Sequence, residues 1–348
     1  MSALCISSES LPAVLDALLR GVDLEQAQAA ELLGVIMAGQ ADPMMIAALL
    51  AALRAKGETA QEIAGFVESM TSAGLHVEVA GPLLDTCGTG GDGADTFNIS
   101  TVSAVVCAAA GARVAKHGNR SASSACGSAD LLEAWGVVIE LGPEQVAACI
   151  QDVGIGFMFA RTFHPAMKHV GPVRAAMGVR TVFNMLGPLS NPAAAAHQVV
   201  GVANASLAPV MAGALQRLGR QHALVFHGHN GLDELTTSGP SMVWEVTPEE
   251  VRTWELDPAA YGFEAADVSS LVGGDVARNV QIANAVLEGE TGPRADVIAL
   301  NAGAALWVGG ISQDLAAGIS LARDVLASGK GAKVRDAWVA RSQQLAKG

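Results

Sequence analysis

The chain is poor in aromatic residues: one tyrosine, eight phenylalanines and five tryptophans make up 4% of its 348 residues. Its core must therefore rest on aliphatic side chains. A hydrophobic content of 51% supports a sizeable one, and 39 glycines beside many alanines permit close helix–sheet packing. Positive charge is also scarce, with 21 Lys and Arg against 34 Asp and Glu, a net charge of −13. That balance argues against nucleic acid or an anionic membrane surface as a partner. Mean hydropathy is positive, yet no uninterrupted apolar run approaches the roughly 18 residues a membrane helix needs. No basic segment followed by an apolar run opens the chain, so we expect no secretory signal. The five cysteines (Cys5, Cys87, Cys107, Cys126, Cys149) are odd in number and form no C-x-x-C pair. Neither a disulfide framework nor a zinc site is indicated, and a reduced, cytoplasmic protein is expected.

The length suits two domains or one large one. The first 75 residues read as helices only. Leu11–Arg20 is amphipathic, and Asp23 is expected to cap a helix running to Ala38. Asp42-Pro43 sets a cap and a first-turn proline before Met44–Lys56, which Gly57 ends. Thr59-x-x-Glu62 is a capping box opening a helix to Met70. Strand-like segments begin only at residue 83 and then alternate with helices: 83–87, 112–116, 155–158, 198–202 and 222–226. This alternation predicts an α/β fold with a mostly parallel central sheet flanked by helices. The span Phe163–Gly178 reads as helical and interrupts the alternation. Four further helices are expected after residue 274, over Asn279–Gly289, Ala295–Trp307, Ser312–Ala327 and Lys333–Ala346.

The most informative stretch is Asp85-Thr-Cys-Gly-Thr-Gly-Gly-Asp-Gly93, followed by Thr96-Phe-Asn-Ile-Ser-Thr101. Gly88, Gly90 and Gly91 allow a tight turn whose N–H groups can approach an anion. Leu83-Leu84 reads as the end of a strand, and Val102–Ala110 as a helix whose N-terminus opens near Asn98–Ser100. Strand, glycine turn and helix N-terminus together form a common phosphate site. No Gly-Lys-Ser/Thr follows, so this is not a P-loop, and the spacing differs from the dinucleotide fingerprint G-x-G-x-x-G.

About twenty residues on stands Lys116-His-Gly-Asn-Arg-Ser-Ala-Ser-Ser124, behind the strand-like Ala112–Ala115. It should share the carboxyl edge of the sheet with the glycine loop, where open α/β sheets bind ligands. Two cations, an amide and three hydroxyls suit a phosphorylated sugar, although most Lys/Arg/Ser stretches are solvated turns. Two adjacent carboxylates, Asp233 and Glu234, follow a glycine-containing segment from Gly228 to Gly231. Neighbours on a helix point about 100° apart, so a loop would let them address one ion from two sides, or two ions.

These motifs, with Phe183-Asn-Met-Leu-Gly-Pro-Leu-Ser-Asn-Pro192, Gly231-Leu-Asp-Glu-Leu-Thr236 and Asn301-Ala-Gly303, occur in the order and approximate spacing of the anthranilate phosphoribosyltransferases. The chain resembles that family over nearly its whole length. The related pyrimidine nucleoside phosphorylases share the fold but carry a different glycine loop and lack the Lys-His-Gly-Asn run. The resemblance implies a helical domain over residues 1–76, rejoined by 163–190, and an α/β domain over 77–348 that binds phosphoribosyl pyrophosphate, with the active site between them. It implies transfer of the phosphoribosyl group to the amine of anthranilate, in tryptophan synthesis. Donor binding falls to Gly88, Gly91, Asp92, Thr96, Asn98, Ile99, Ser100 and Thr101 on the first cluster. On the second it falls to Lys116, His117, Gly118, Asn119, Arg120, Ser121, Ala122, Ser123, Ser124 and Ser128. Gly88, Asn119 and Arg174 match the acceptor site, where a guanidinium can grip a carboxylate bidentately. Ser100, Asp233 and Glu234 match the family's magnesium ligands, for two Mg²⁺ ions per subunit. A homodimer is expected from the family and from an apolar N-terminal helical face.

His117 and His164 invite reading as bases, but a lone histidine is more often structural. Cys87 and Cys126 adjoin the phosphate loops without a partner to activate them, and read as packing residues. Another enzyme of this fold, a nucleoside phosphorylase or a transferase with a different aromatic acceptor, is the first alternative. A non-catalytic homologue is the second, and a binding module has little need for Lys116, the glycine loop and both carboxylates.

Overall fold

The computed structural model describes residues 6–121 and 125–347. The N-terminal region is a helical bundle of α1 (Leu11–Leu19), α2 (Gln26–Met37), α3 (Pro43–Lys56) and α4 (Ala60–Ser72). Local chemistry sets most of its ends. Asp42 accepts from the N–H of Met44 with Pro43 at the first turn, and Gly57 at φ 87° stops α3. Thr59 and Glu62 form the reciprocal capping box of α4. Asp23 does not cap α2, which starts two residues later behind Glu25. Its carboxylate is taken instead by Lys56 Nζ at 2.6 Å, and Lys56 also pairs at 2.9 Å with the buried Glu62. A cation reaching two acids outcompetes a cap that offers only a backbone N–H.

The α/β region begins with β1 (Leu84–Gly88), α5 (Ile99–Ala109), β2 (Val114–Gly118), α6 (Ser128–Trp135), α7 (Pro143–Val153) and β3 (Ile155–Phe159). Short helices α8 (Ala160–Phe163), α9 (Gly171–Met177) and α10 (Phe183–Leu189) follow, then β4 (His197–Gly201), α11 (Ala208–Arg217), β5 (His222–His227), β6 (Ser241–Val246) and β7 (Val251–Leu256). Four helices close the chain: α12 (Val276–Leu287), α13 (Pro293–Val308), α14 (Leu315–Ala327) and α15 (Lys330–Leu345).

The seven strands form one sheet in the order β3-β2-β1-β4-β5-β6-β7. The first five run parallel; β6 and β7 add antiparallel at the edge. The antiparallel hairpin is absent from the sequence expectation. After β3 the chain crosses back over β1, so β1 and β4 are neighbours whose following loops diverge. Such a crossover leaves a crevice at the carboxyl ends of the strands.

One hydrophobic cluster joins the N-terminal helices to Val173, Phe183 and Leu186 and to Val200 and Val225 on the sheet. Within it α9 packs on α3, and α10 on α4 and α11. A second cluster takes in residues of all seven strands, Val199 and Leu224 among them, together with α5, α12, α13 and α14. Gly303 on α13 lets α14 lie close, since a Cβ there would sit 2.6 Å from the Ile319 nitrogen.

Candidate functional site

The β1–α5 loop is set by backbone conformations that favour glycine: Gly90, Gly91 and Gly93 have φ of 63°, 78° and 72°. Thr89 anchors its base, donating its N–H to Gly201 O at 2.9 Å and accepting from Ala203 N–H at 3.1 Å. The N–H groups of Gly91, Asp92 and Gly93 have no protein acceptor among the described residues. They lie beside the N-terminus of α5, a combination that receives anions.

Lys116, at 2% exposure, is buried behind this loop rather than displayed on a solvated turn. Its Nζ donates to Thr86 O at 2.7 Å and to Ser100 Oγ at 3.4 Å, linking β2 to the start of α5. Burial lowers its pKa from the ordinary lysine value, against the pull of Asp85. Asp85 is fully buried and accepts from Asn191 Nδ2 at 2.7 Å and Gln198 Nε2 at 3.4 Å. Asn191 also donates to Ala115 O at 2.8 Å, which gives the Asn-Pro end of the Phe183–Pro192 motif a structural task across β1 and β2.

Asp233 and Glu234 lie on an irregular loop after β5. Asn301 clamps the turn that follows, accepting from Leu235 N–H at 3.1 Å and donating to Leu235 O at 2.7 Å. Close approach needs two glycines. A Cβ on Gly201 would overlap the Asp233 carbonyl, and one on Gly88 would fall 2.5 Å from Asp233 Oδ2. Both acids are held above the ordinary carboxylate range, first by burial; Asp92 raises Asp233 further and Asp233 raises Glu234. Asp92 Oδ2 is buried with no hydrogen-bond partner among the described residues. Carboxyl groups crowded in this way, with Ser100 Oγ alongside, form an oxygen-rich pocket, which suits a hard divalent cation. No group of three or more His, Cys, Asp or Glu able to hold a metal occurs among the described residues. Magnesium bound by one or two carboxylates together with substrate phosphates needs none.

Two cavities meet here. The first, of about 510 Å³, is lined by every donor residue named from the sequence that the structure describes, from Gly88 to Ser128, and by Asp233 and Glu234. Ala122, Ser123 and Ser124 lie outside the described residues. Arg120 borders it with its guanidinium engaged by Asp130 at 2.8 Å and Glu133 at 2.9 Å. Cys126 also borders it, its thiol pushed up to about 11 by burial. The second cavity, of about 860 Å³, is lined by Gly88, Asn119 and Arg174, with Phe183, Pro188 and Met70 among its apolar walls. Cys87, Gly88, Thr89, His117, Gly118, Asn119 and Asn184 border both.

The charge of the second cavity is one-sided. Arg161, Lys168 and Arg174 line it and no aspartate or glutamate does, in a chain of net charge −13. Arg174 is half-buried, and its guanidinium stacks 5.3 Å from the Phe183 ring centroid with no hydrogen bond or ion pair among the described residues. His117 and His164 both line this cavity, their rings 5.1 Å apart and edge to face. Burial, first of all, lowers them to about 3 and about 4, so both are neutral imidazoles near pH 7. Burial pushes the Cys87 thiol well up, which removes it as a nucleophile.

Two bordering residues escape the sequence reading. Asn184 and Arg180 line the first cavity, and Arg180 donates to Gly90 O at 3.0 Å and Thr89 O at 3.2 Å. The motif Phe183–Pro192 signals the neighbourhood of Asn184; nothing local marks Arg180.

Known proteins match this arrangement along the chain. The sequence pattern described as "Glycosyl transferase family, helical bundle domain" matches residues 12–74, and "Glycosyl transferase family, a/b domain" matches residues 80–332. The anthranilate phosphoribosyltransferase of Chloroflexus aggregans is 56% identical over 310 residues, 88% of this chain and 91% of that one. That of Roseiflexus castenholzii is 55% identical over 314 residues, covering 90% and 92%. The crystal structure of the Thermus thermophilus enzyme superposes with a TM-score of 0.90 at 46% identity, covering 94% of this chain and 99% of that one. The Saccharomyces cerevisiae enzyme in complex with PRPP and Mg gives 0.89 at 27% identity, covering 97% and 99%. With its glycine loop, its Lys-His-Gly-Asn strand end and its paired acids folded together, this chain belongs to the anthranilate phosphoribosyltransferase family.

Proposed function

We propose that the chain transfers the 5-phosphoribosyl group of phosphoribosyl pyrophosphate to the amine of anthranilate, releasing pyrophosphate. The observation that carries this reading is the wall shared by the two cavities at Gly88, His117, Gly118 and Asn119. A donor in the smaller cavity and an acceptor in the larger one meet there without a covalent enzyme intermediate.

The glycine-loop N–H groups and the N-terminus of α5 receive the donor's phosphates. Arg174 takes the acceptor carboxylate, with Arg161 and Lys168 adding positive field at the same cavity. Asn119 and Gly88 border the point where the amine lone pair attacks C1 of the ribose as the bond to pyrophosphate breaks. The aromatic amine carries no proton at neutral pH, so neutral His117 and His164 need not act as bases. Ser100, Asp233 and Glu234 are the residues to hold Mg²⁺, as two ions sharing Glu234; the metal supplies positive charge against the leaving pyrophosphate.

The yeast relatives bound to PRPP and Mg and to 4-fluoroanthranilate support the choice of substrates. We further read residues 1–76 with 163–190 as one domain and 77–348 as the other, because α9 and α10 pack on the N-terminal helices. A homodimer through the helical domain is our reading of the exposed Leu19 and Met44, at 69% and 80%. A cytoplasmic location fits the cysteine usage, and no described helix is long and apolar enough to cross a membrane.

Product analysis tests the assignment. Mixtures of phosphoribosyl pyrophosphate, Mg²⁺ and anthranilate should yield N-(5-phosphoribosyl)anthranilate. Turnover of pyrimidine nucleosides with inorganic phosphate instead would make the chain a phosphorylase.

A further inference from the structure

We infer that Arg180 is a positioning residue for donor binding, a latch that joins the helical bundle to the glycine loop and fixes which way that loop's peptide groups face. The inference rests on the transferase reading above and assigns that site a residue outside its ligand set.

Arg180 sits between α9 and α10, some ninety residues from the loop it touches. Its Nη1 donates to Gly90 O at 3.0 Å and its Nη2 to Thr89 O at 3.2 Å. On the opposite side, the carbonyl of Arg180 accepts from the guanidinium of Arg54, in the last turn of α3. The chain of contacts therefore runs α3, Arg54, Arg180, glycine loop. Gly91 is part of the fit, because a Cβ at that position would overlap Arg180 Nη1.

A peptide plane has its C=O and N–H on opposite sides. Holding the Thr89 and Gly90 carbonyls against a guanidinium therefore directs neighbouring N–H groups the other way. Gly91, Asp92 and Gly93 are the residues whose N–H groups remain without protein acceptors among the described residues. The planar fork can serve two carbonyls at once, whereas an ammonium is a single point donor. Arg180 also borders the donor cavity, so its positive charge sits at the edge of a polyanion site. The tether through Arg54 makes the loop's conformation depend on where the helical bundle sits.

The test compares the wild-type protein with Arg180→Ala, Arg180→Lys and Arg54→Ala. Calorimetry with phosphoribosyl pyrophosphate at saturating Mg²⁺ reads donor affinity, and steady-state kinetics read both KM values. Hydrogen exchange in the ligand-free protein at Thr89 and Gly90, whose N–H groups are held by Gly201 O and Asp233 Oδ2, reads the latch itself. Arg180→Ala should weaken donor affinity about tenfold or more while the acceptor KM moves less than about twofold. Arg180→Lys should recover only part of the loss, and Arg54→Ala should fall between wild type and Arg180→Ala. Loop exchange should quicken in the same order, with the melting temperature unchanged because Arg180 is exposed. Wild-type donor affinity in Arg180→Ala overturns the inference, as does a loss shared equally by both substrates, or unchanged loop exchange. A wild-type protein that neither binds the donor nor consumes anthranilate overturns the transferase reading instead, and the exchange arm still judges the latch.

Discussion

Asp233 Oδ2 accepts a 2.6 Å hydrogen bond from the N–H of Gly90, so the acidic loop after β5 closes onto the glycine loop after β1. These two loops flank the crevice between β1 and β4, and the contact places a carboxylate among N–H groups suited to phosphate. Two charges of the same sign, the carboxylate and an incoming pyrophosphate, then compete for one set of donors unless a cation separates them.

Asp233→Asn combined with Glu234→Gln keeps size and removes that charge. Activity should fall by orders of magnitude and the Mg²⁺ requirement should rise. Near-normal turnover at limiting Mg²⁺ would remove both residues from the metal site. Stability adds a second readout. Both carboxyls are held above their ordinary values, mainly by burial. A group whose pKa is raised by folding stabilises the fold at acid pH, and that contribution is lost as pH rises through the folded value. In EDTA, the wild type should therefore lose stability relative to the double variant as pH rises from about 4, the unfolded carboxylate value, through the folded Asp233 value of about 7. Thermal melts across that range check the sign, and a constant difference contradicts it.

His117 and His164 follow the opposite sign. Their folded values lie near 3 and 4, below the ordinary histidine value. The unfolded chain then takes up protons first, so their contribution to stability falls as pH drops from about 6.5 toward 4. His117→Asn should flatten part of that acid slope in thermal melts. The kcat/KM for anthranilate should show no limb near pH 6.5 that His117→Asn abolishes; such a limb would make His117 a base.

Arg174→Ala should raise the anthranilate KM and leave the donor KM nearly unchanged. Loss of a charge-assisted hydrogen bond costs about 1.5–3 kcal/mol, roughly ten- to a hundredfold in kcat/KM. Arg174→Lys should recover only part, and the alanine variant should discriminate less against anilines without a carboxylate. A selective loss of donor affinity would move Arg174 to the phosphate site.

Gly91→Val introduces a β-branched residue at φ 78° and drives its Cβ into the Arg180 guanidinium. Calorimetry should find donor binding abolished. Unchanged affinity would place the donor elsewhere. The collision is with a protein side chain, whereas the sequence reading expected close approach of the backbone to the ligand itself.

What the sequence disclosed was local or chemical in kind. Thr59 and Glu62, three residues apart, carry their capping box in plain view, and Asp42-Pro43 is equally local. The glycine loop announces itself because few other residues adopt its positive φ values. Asp23 misleads because its partner, Lys56, arrives from the end of another helix. The hairpin of β6 and β7 went unread because Ser241–Val246 and Val251–Leu256 depart from the strand–helix alternation of the preceding segments. The residue types at Lys116 and Asp85 were legible, but burial of a lysine behind the loop required the sheet that brings Thr86 and Ser100 to it. Arg180 was out of reach altogether, since a side chain bonded to main-chain carbonyls leaves no pattern in the residues it holds.

The central claim, one donor and one acceptor meeting across the wall at Gly88 and Asn119, is tested most directly by following anthranilate fluorescence with phosphoribosyl pyrophosphate and Mg²⁺ while pyrophosphate is measured in the same mixture. The account predicts loss of anthranilate matched one for one by pyrophosphate release, abolished by omitting either substrate. Pyrophosphate release without anthranilate loss, or anthranilate persisting at every donor and Mg²⁺ concentration, would contradict it.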